Sequence, residues 1–217
     1  MGQEILRPWQ QSAIEYVFAQ PEAESFYLTG GTALAAFYLH HRISDDLDFF
    51  SEADFPTTAV ETLASGLRNK LGADDLRYSR LYDRRQFFIK LGSEELKIEF
   101  NRYPFRQLEA VNLVGNARVD SEFDIAVNKL MALTDRFDPK DFVDLYFLLN
   151  KYKLMHLRDG VEQKFGVRLD AIFLGGELLK VNRVAALPKM IRSLTVEEIK
   201  GFFCNQAETL RAEVLES

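Results

Sequence analysis

Leu28-Thr29-Gly30-Gly31-Thr32-Ala33-Leu34 and, eight residues on, Arg42-Ile43-Ser44-Asp45-Asp46-Leu47-Asp48-Phe49-Phe50 decide how this 217-residue chain is read. The apolar run at 25–29 predicts a short buried strand, stopped by the paired glycines, and residues 32–41 predict a helix. A helix start leaves backbone N–H groups unpaired, and its dipole favours an anion there. Glycines at that turn let a phosphate approach the backbone closely. A second strand, 46–50, carries Asp46 and Asp48 two residues apart, so both lie on one face while Leu47 and Phe49 turn to the core. Two carboxylates on one face beside an anion site offer the oxygen ligands that a hard divalent cation takes, and the cation offsets phosphate charge. It also relieves the repulsion between the two acids. Taken singly, Gly-Gly is usually a tight turn and Asp-x-Asp a solvated strand end. Their order in one strand–turn–helix–strand unit makes them informative.

Outward from this unit, residues 9–19 have helical spacing and end before Pro21, and residues 56–70 form an amphipathic pattern with Val60, Leu63, Ala64 and Leu67 on one side. Three strand-like runs, 77–82, 86–91 and 96–100, are separated by Asp83-Arg84-Arg85 and Gly92-Ser93-Glu94, which predicts an antiparallel meander. From Ser121 the pattern is helical. Ser121 with Asp124 and Thr195 with Glu198 have capping-box spacing, and Asp138-Pro139 places an N-cap before a proline at the first helical position. The expected organisation is an α/β domain at 1–118 and a helical domain at 119–217.

Composition narrows the class. With 47% hydrophobic residues, 18 Phe and 8 Tyr, the chain has enough apolar material to fold. A single cysteine, Cys204, excludes a disulfide framework and points to a reducing, cytoplasmic compartment. No apolar run approaches bilayer length and no secretory leader is visible, so no membrane partner is expected. A net charge of −6 argues against non-specific nucleic-acid coating but leaves room for a local basic groove.

The series Gly30-Gly31-Thr32, Arg42-Ile43-Ser44 and Asp46-Leu47-Asp48-Phe49-Phe50 resembles the AbiEii/AbiGii-type nucleotidyltransferase toxin family, within the nucleotidyltransferase superfamily whose motif is Gly-Gly/Ser followed by Asp-x-Asp. The later run from Asp124 through Lys129 to Leu133, then Arg136, then Lys140-Asp141-Phe142-Val143-Asp144-Leu145, is similar to that family's helical motifs. The resemblance covers about residues 24–150. It implies an α/β fold: a minimal nucleotidyltransferase mixed β-sheet with flanking helices plus a C-terminal helical bundle. It also implies Mg²⁺ (or Mn²⁺) held by Asp46 and Asp48, and an NTP substrate docked at Gly30, Gly31 and Thr32. A repressor antitoxin is the usual partner in such type IV, abortive-infection systems, and some members add nucleotides to the 3′ end of tRNA.

Further candidates follow. The superfamily commonly takes a third carboxylate from a later strand, and Glu99 shares a strand face with Lys97, making it a candidate third metal ligand or general base; the alternative is a surface partner of Lys97. The family match places Lys129 on nucleotide phosphates, where a point charge suits the task; the alternative is a lysine snorkelling from a core helix. Asp141 fits the first turn of its helix, whereas Asp144, one turn later, lacks that reason and is the favoured catalytic residue of the two. Arg42 holds a phosphate or pairs with Asp45, and Ser44 reaches backbone or phosphate. His40 and His41 read as a helix end. Arg77, Arg80, Arg84, Arg85, Arg102 and Arg106, interleaved with Tyr78, Tyr82 and Tyr103, are either an RNA-facing surface or a charged outer sheet face. Two other functions stay open: a nucleotide-binding interaction module without turnover, and a kinase-like transfer of the γ-phosphate on the same site.

Overall fold

The computed structural model describes residues 5–216, whose contacts form two compact units. The first comprises the described residues up to Tyr38 together with Ser44–Arg106 and Ala110–Ser121; the second comprises Leu39–Ile43, Gln107–Glu109 and the helices from Glu122 onward. The units divide after Ser121, and the second also takes in two short segments, Leu39–Ile43 and Gln107–Glu109, that linear patterning does not reveal.

In the first unit, α1 (Pro8–Phe18) precedes β1 (Tyr27–Thr29), and α2 (Gly30–Leu34) continues as a π-helical turn over Ala35–Leu39. The helix thus starts two residues earlier than the spacing predicts, at the first glycine. It stops short of 41 because His40 takes a left-handed conformation, φ +53°. Then come β2 (Leu47–Ser51), α3 (Thr57–Leu71), β3 (Asp75–Leu81), β4 (Arg84–Leu91) and β5 (Glu94–Arg102). A hairpin of β6 (Asn112–Val114) and β7 (Ala117–Val119) follows; at three residues each, these strands are too short to carry a periodic pattern.

The seven strands make one mixed sheet in the order β3-β4-β5-β2-β1-β7-β6. β3, β4 and β5 are the expected antiparallel meander. β2 pairs antiparallel with β1 and parallel with β5, in a register that sets Asp48 level with Glu99 and Phe49 level with Phe100. Alternation along β2 buries Leu47, Phe49 and Ser51 and leaves Asp48 and Phe50 half-buried on the other face. The buried face is aromatic: Phe49 stacks on Phe100 with ring centroids 5.2 Å apart, and Phe18 and Phe87 close the cluster edge-on. Helix α3 lays its Val60, Leu63, Ala64 and Leu67 stripe inward and ends at Gly72, whose φ of +62° suits a glycine C-cap.

The second unit is helical: α4 (Glu122–Asp135), α5 (Pro139–Leu148), α6 (Leu154–Phe165), α7 (Ala171–Leu179) and α8 (Val196–Glu216). The caps are those the spacing predicts at two starts. Asp138 accepts from the Lys140 N–H ahead of Pro139, and Thr195 and Glu198 bond reciprocally. Asp124 accepts from the backbone N–H groups of Leu108 and Glu109 and from the buried Lys164 ammonium, which ties residues 107–109 to this unit. Cys204 is half-buried. Among the described residues, no helix is long and apolar enough to cross a membrane.

Candidate functional site

In the sheet unit, the glycine turn and the acid strand meet directly. Gly30 sits at φ +74°, and a Cβ there would collide with the Asp48 carboxylate. Both requirements, left-handed backbone and missing side chain, select glycine at this position. Thr32 donates its hydroxyl to the Asp46 carbonyl, fixing the strand entrance against the helix start. Thr29, the residue before the turn, is anchored from below by a 2.7 Å hydrogen bond to the buried Asp120.

Glu99, across the parallel pair from Asp48, is only 3% exposed. Its carboxylate accepts from Gln86 Nε2 at 2.8 Å and is ion-paired with Lys97. The Lys97 ammonium also lies 3.5 Å from Asp46 Oδ2. Burial acts to raise the Glu99 pKa, but the hydrogen bonds from Lys97 and Gln86 and the charges of Lys97 and Arg84 outweigh it, so Glu99 is held below its ordinary value. Burial likewise acts to lower Lys97, and Glu99, Asp46 and Asp48 together raise it. Among the described residues, no three His, Cys, Asp or Glu side chains are arranged to hold a metal ion. Asp46, Asp48 and Glu99 nonetheless carry the oxygen donors that a hard divalent cation takes, and two of them, Asp46 and Glu99, share the Lys97 ammonium.

In the helical unit lies a second ionic cluster. Asp144, with none of its side chain exposed, accepts from Arg42 Nε at 2.6 Å and Nη2 at 2.8 Å, from His41 Nε2 at 2.7 Å, and is paired with Lys129 Nζ at 2.7 Å. All four lone-pair positions of the carboxylate are used. Lys129 also bonds Asp141 at 2.8 Å, and Asp141 is in turn held by Arg136 at 3.0 Å. Burial favours the neutral acid, but Lys129, Arg42 and the hydrogen bonds keep Asp144 well below the usual carboxylate range. His41 is pushed down by burial, against the pull of Asp144. With Nε2 donating to Asp144, its Nδ1 has no hydrogen-bond partner, so a second proton would be buried without an acceptor.

The expected residues therefore fall into two groups. Gly30, Gly31, Thr32, Asp46, Asp48 and Glu99 belong to the sheet unit, with Ser44, whose carbonyl accepts from Gln10. Arg42, Lys129, Asp141 and Asp144 belong to the helical unit. Arg42 does not pair with Asp45, which instead bonds Arg7. Its guanidinium is 1% exposed and is bonded to Asp144 and the Ile43 carbonyl. The basic and aromatic set is not one surface either. Arg85 is buried over the Phe55 ring at 4.3 Å and Tyr103 packs on Phe50, whereas Arg77, Arg80, Tyr78 and Tyr82 are exposed on and beside β3. Pattern reading missed the close tie of Lys97 to two acids and the part played by His41.

Comparison with known proteins settles the family. The model of the family described as "Nucleotidyl transferase AbiEii toxin, Type IV TA system" matches residues 15–210. The chain belongs to the AbiEii nucleotidyltransferase toxin family. A relative in Aquifex aeolicus (strain VF5), the uncharacterised protein aq_aa25, is 33% identical over 165 residues, 74% of this chain and 76% of that protein. The fold is similar to that of a candidate nucleotidyltransferase of H. pylori, with a TM-score of 0.62 at 20% identity, covering 95% of each chain. It is also similar to MenT4, the nucleotidyltransferase toxin Rv2826c of Mycobacterium tuberculosis H37Rv, with a TM-score of 0.51 at 13% identity, covering 94% of this chain and 86% of that one. The mixed sheet with flanking helices is thus a nucleotidyltransferase fold.

Proposed function

We propose that this AbiEii member transfers a nucleoside monophosphate from an NTP to an acceptor hydroxyl in a metal-dependent reaction centred on Asp46 and Asp48. The observation that carries the reading is the contact of the Gly30 turn with the Asp48 carboxylate, which brings phosphate-accommodating backbone and acidic ligands to one place. Asp46 and Asp48 would hold Mg²⁺ or Mn²⁺, with Glu99 as the third ligand. A bound divalent cation supplies charge neutralisation on the triphosphate and lowers the pKa of a coordinated hydroxyl. Gly30, Gly31 and Thr32 receive the triphosphate. The acceptor oxygen attacks the α-phosphorus in line, the bond to the β-phosphate oxygen breaks, pyrophosphate leaves and the hydroxyl proton passes to solvent.

Glu99 is assigned as ligand rather than base because its depressed pKa makes it a weak proton acceptor. Lys129, Asp141, Asp144 and Arg42 are assigned as positioning residues. Their charges satisfy one another, and Asp144 holds the His41 and Arg42 side chains. The exposed Arg77, Tyr78, Arg80 and Tyr82 support an RNA acceptor, with stacking on tyrosine and phosphate contacts from arginine. The tRNA 3′ end is the first acceptor to test. The family's description as a type IV toxin supports a cognate antitoxin as partner, and the single cysteine supports a cytoplasmic site of action.

The test incubates the purified protein with total tRNA, Mg²⁺ or Mn²⁺, and each NTP labelled at either the α- or the γ-phosphate. Transfer of α-label that disappears in Asp46→Asn and Asp48→Asn is the expected result. Transfer of γ-label instead would establish a kinase-like reaction, and α-transfer that survives Asp48→Asn would remove the acid pair from the mechanism.

A further inference from the structure

Lys97 stands where a metal would be drawn. It lies two residues before Glu99 on the same face of β5, and the β2–β5 register brings that face level with the acid strand. Its ammonium is ion-paired with Glu99 and 3.5 Å from Asp46 Oδ2. Arg84, the other cation near Glu99, is half exposed and reaches it only at 4.0 Å. The carboxylates of Glu99 on β5, Asp48 on β2 and Asp46 just before β2 repel one another without a cation. Lysine suits a removable one: it is a compact point charge on a flexible four-carbon stem, without the rigid fork that locks arginine to a carboxylate. The side chain is 29% exposed, so solvent is open to it when it leaves.

We propose that Lys97 is a tethered counter-ion of the acid site, neutralising Asp46 and Glu99 while no metal is bound and displaced from them when a divalent cation enters. The inference rests on the metal-binding reading of Asp46 and Asp48. Its consequence is a lowered affinity for free metal, because each binding event must break the lysine contacts and place a second cation close to the first.

The test titrates Mn²⁺ alone, without nucleotide, into the full-length protein and reads free Mn²⁺ by electron paramagnetic resonance. Lys97→Met is expected to bind Mn²⁺ about tenfold tighter than wild type, from the loss of one charge a few ångströms from the ligands. Lys97→Arg, which keeps the charge, stays within about twofold of wild type. The double variant Lys97→Met/Asp48→Asn loses the gain. Equal or weaker binding by Lys97→Met overturns the counter-ion role and leaves the metal site standing. A double variant that binds as tightly as Lys97→Met overturns the metal site itself. A thermal-melt comparison guards against a folding artefact: Lys97→Met melts lower without metal, yet gains more from Mn²⁺ than wild type does. An equal Mn²⁺-induced increment in both proteins contradicts the proposal.

Discussion

Asp144→Asn separates a buried charge hub from a catalytic carboxylate. In the wild-type protein the Asp144 carboxylate faces Arg42, Lys129 and His41, and none of the four side chains has more than a tenth of its surface in water. Asparagine has the same shape but no charge, and its amide group presents donors where an acceptor is needed. Lys129 keeps Asp141 as a counter-ion, so most of the loss falls on Arg42, whose remaining hydrogen bond is to the Ile43 carbonyl at 3.1 Å. Leaving a buried cation without its partner costs about 3–5 kcal/mol. For a chain of this size, each kcal/mol moves the melting temperature by roughly 2–4 °C, so a fall of about 10–15 °C is expected. Circular dichroism melts at pH 7.5 measure it. Adding Arg42→Met to Asp144→Leu should recover part of the loss, since an apolar pair of similar volume removes the unpaired charge along with its partner. A variant Asp144→Asn that melts within about 2 °C of wild type yet transfers no nucleotide would refute this reasoning and return Asp144 to the reaction itself.

His41 carries a pH signature. Its folded-state pKa is lowered, so below about 6.5 the unfolded chain takes up a proton that the folded one refuses, and stability falls as the pH drops from there. Asp144 stays ionised throughout that window. His41→Gln, which can still donate to Asp144, should flatten the stability profile between about pH 6.5 and 5 in urea titrations; an unchanged slope would show that His41 is not its source. Gly30→Ala should lose about 1–2 kcal/mol from left-handed strain alone and lose nucleotide transfer as well, because the new methyl displaces the Asp48 carboxylate. Gly72→Ala, also left-handed but with open space around it, is the comparison: similar strain with transfer retained.

What the residues announced and what they concealed divides by range. The β3–β5 meander and helix α3 were legible because their turns and apolar stripes are local, and the Gly30–Asp48 unit because glycine and acid each have few structural reasons to recur in that order. The alternation that hid Arg85 among surface arginines also exposes it in hindsight: it shares a face with Phe87 and Ile89, both buried. No local signal marks His41 and Arg42 as partners of Asp144, over a hundred residues away. Lys97 and Glu99 were seen to share a face, but the grip of the lysine on Asp46 depends on strand β5 lying parallel beside β2, a tertiary fact.

That parallel neighbouring has an evolutionary corollary. Strands β2 and β5 hydrogen-bond side by side although residues 52–93, with a helix and two strands, intervene between them. The alignment of Asp48 with Glu99 is written in the ladder and not in the intervening length. Insertions or deletions in the excursion could reshape the acceptor specificity of a lineage while the acids kept their mutual address. A single residue gained or lost inside either ladder would turn every carboxylate on it to the opposite side.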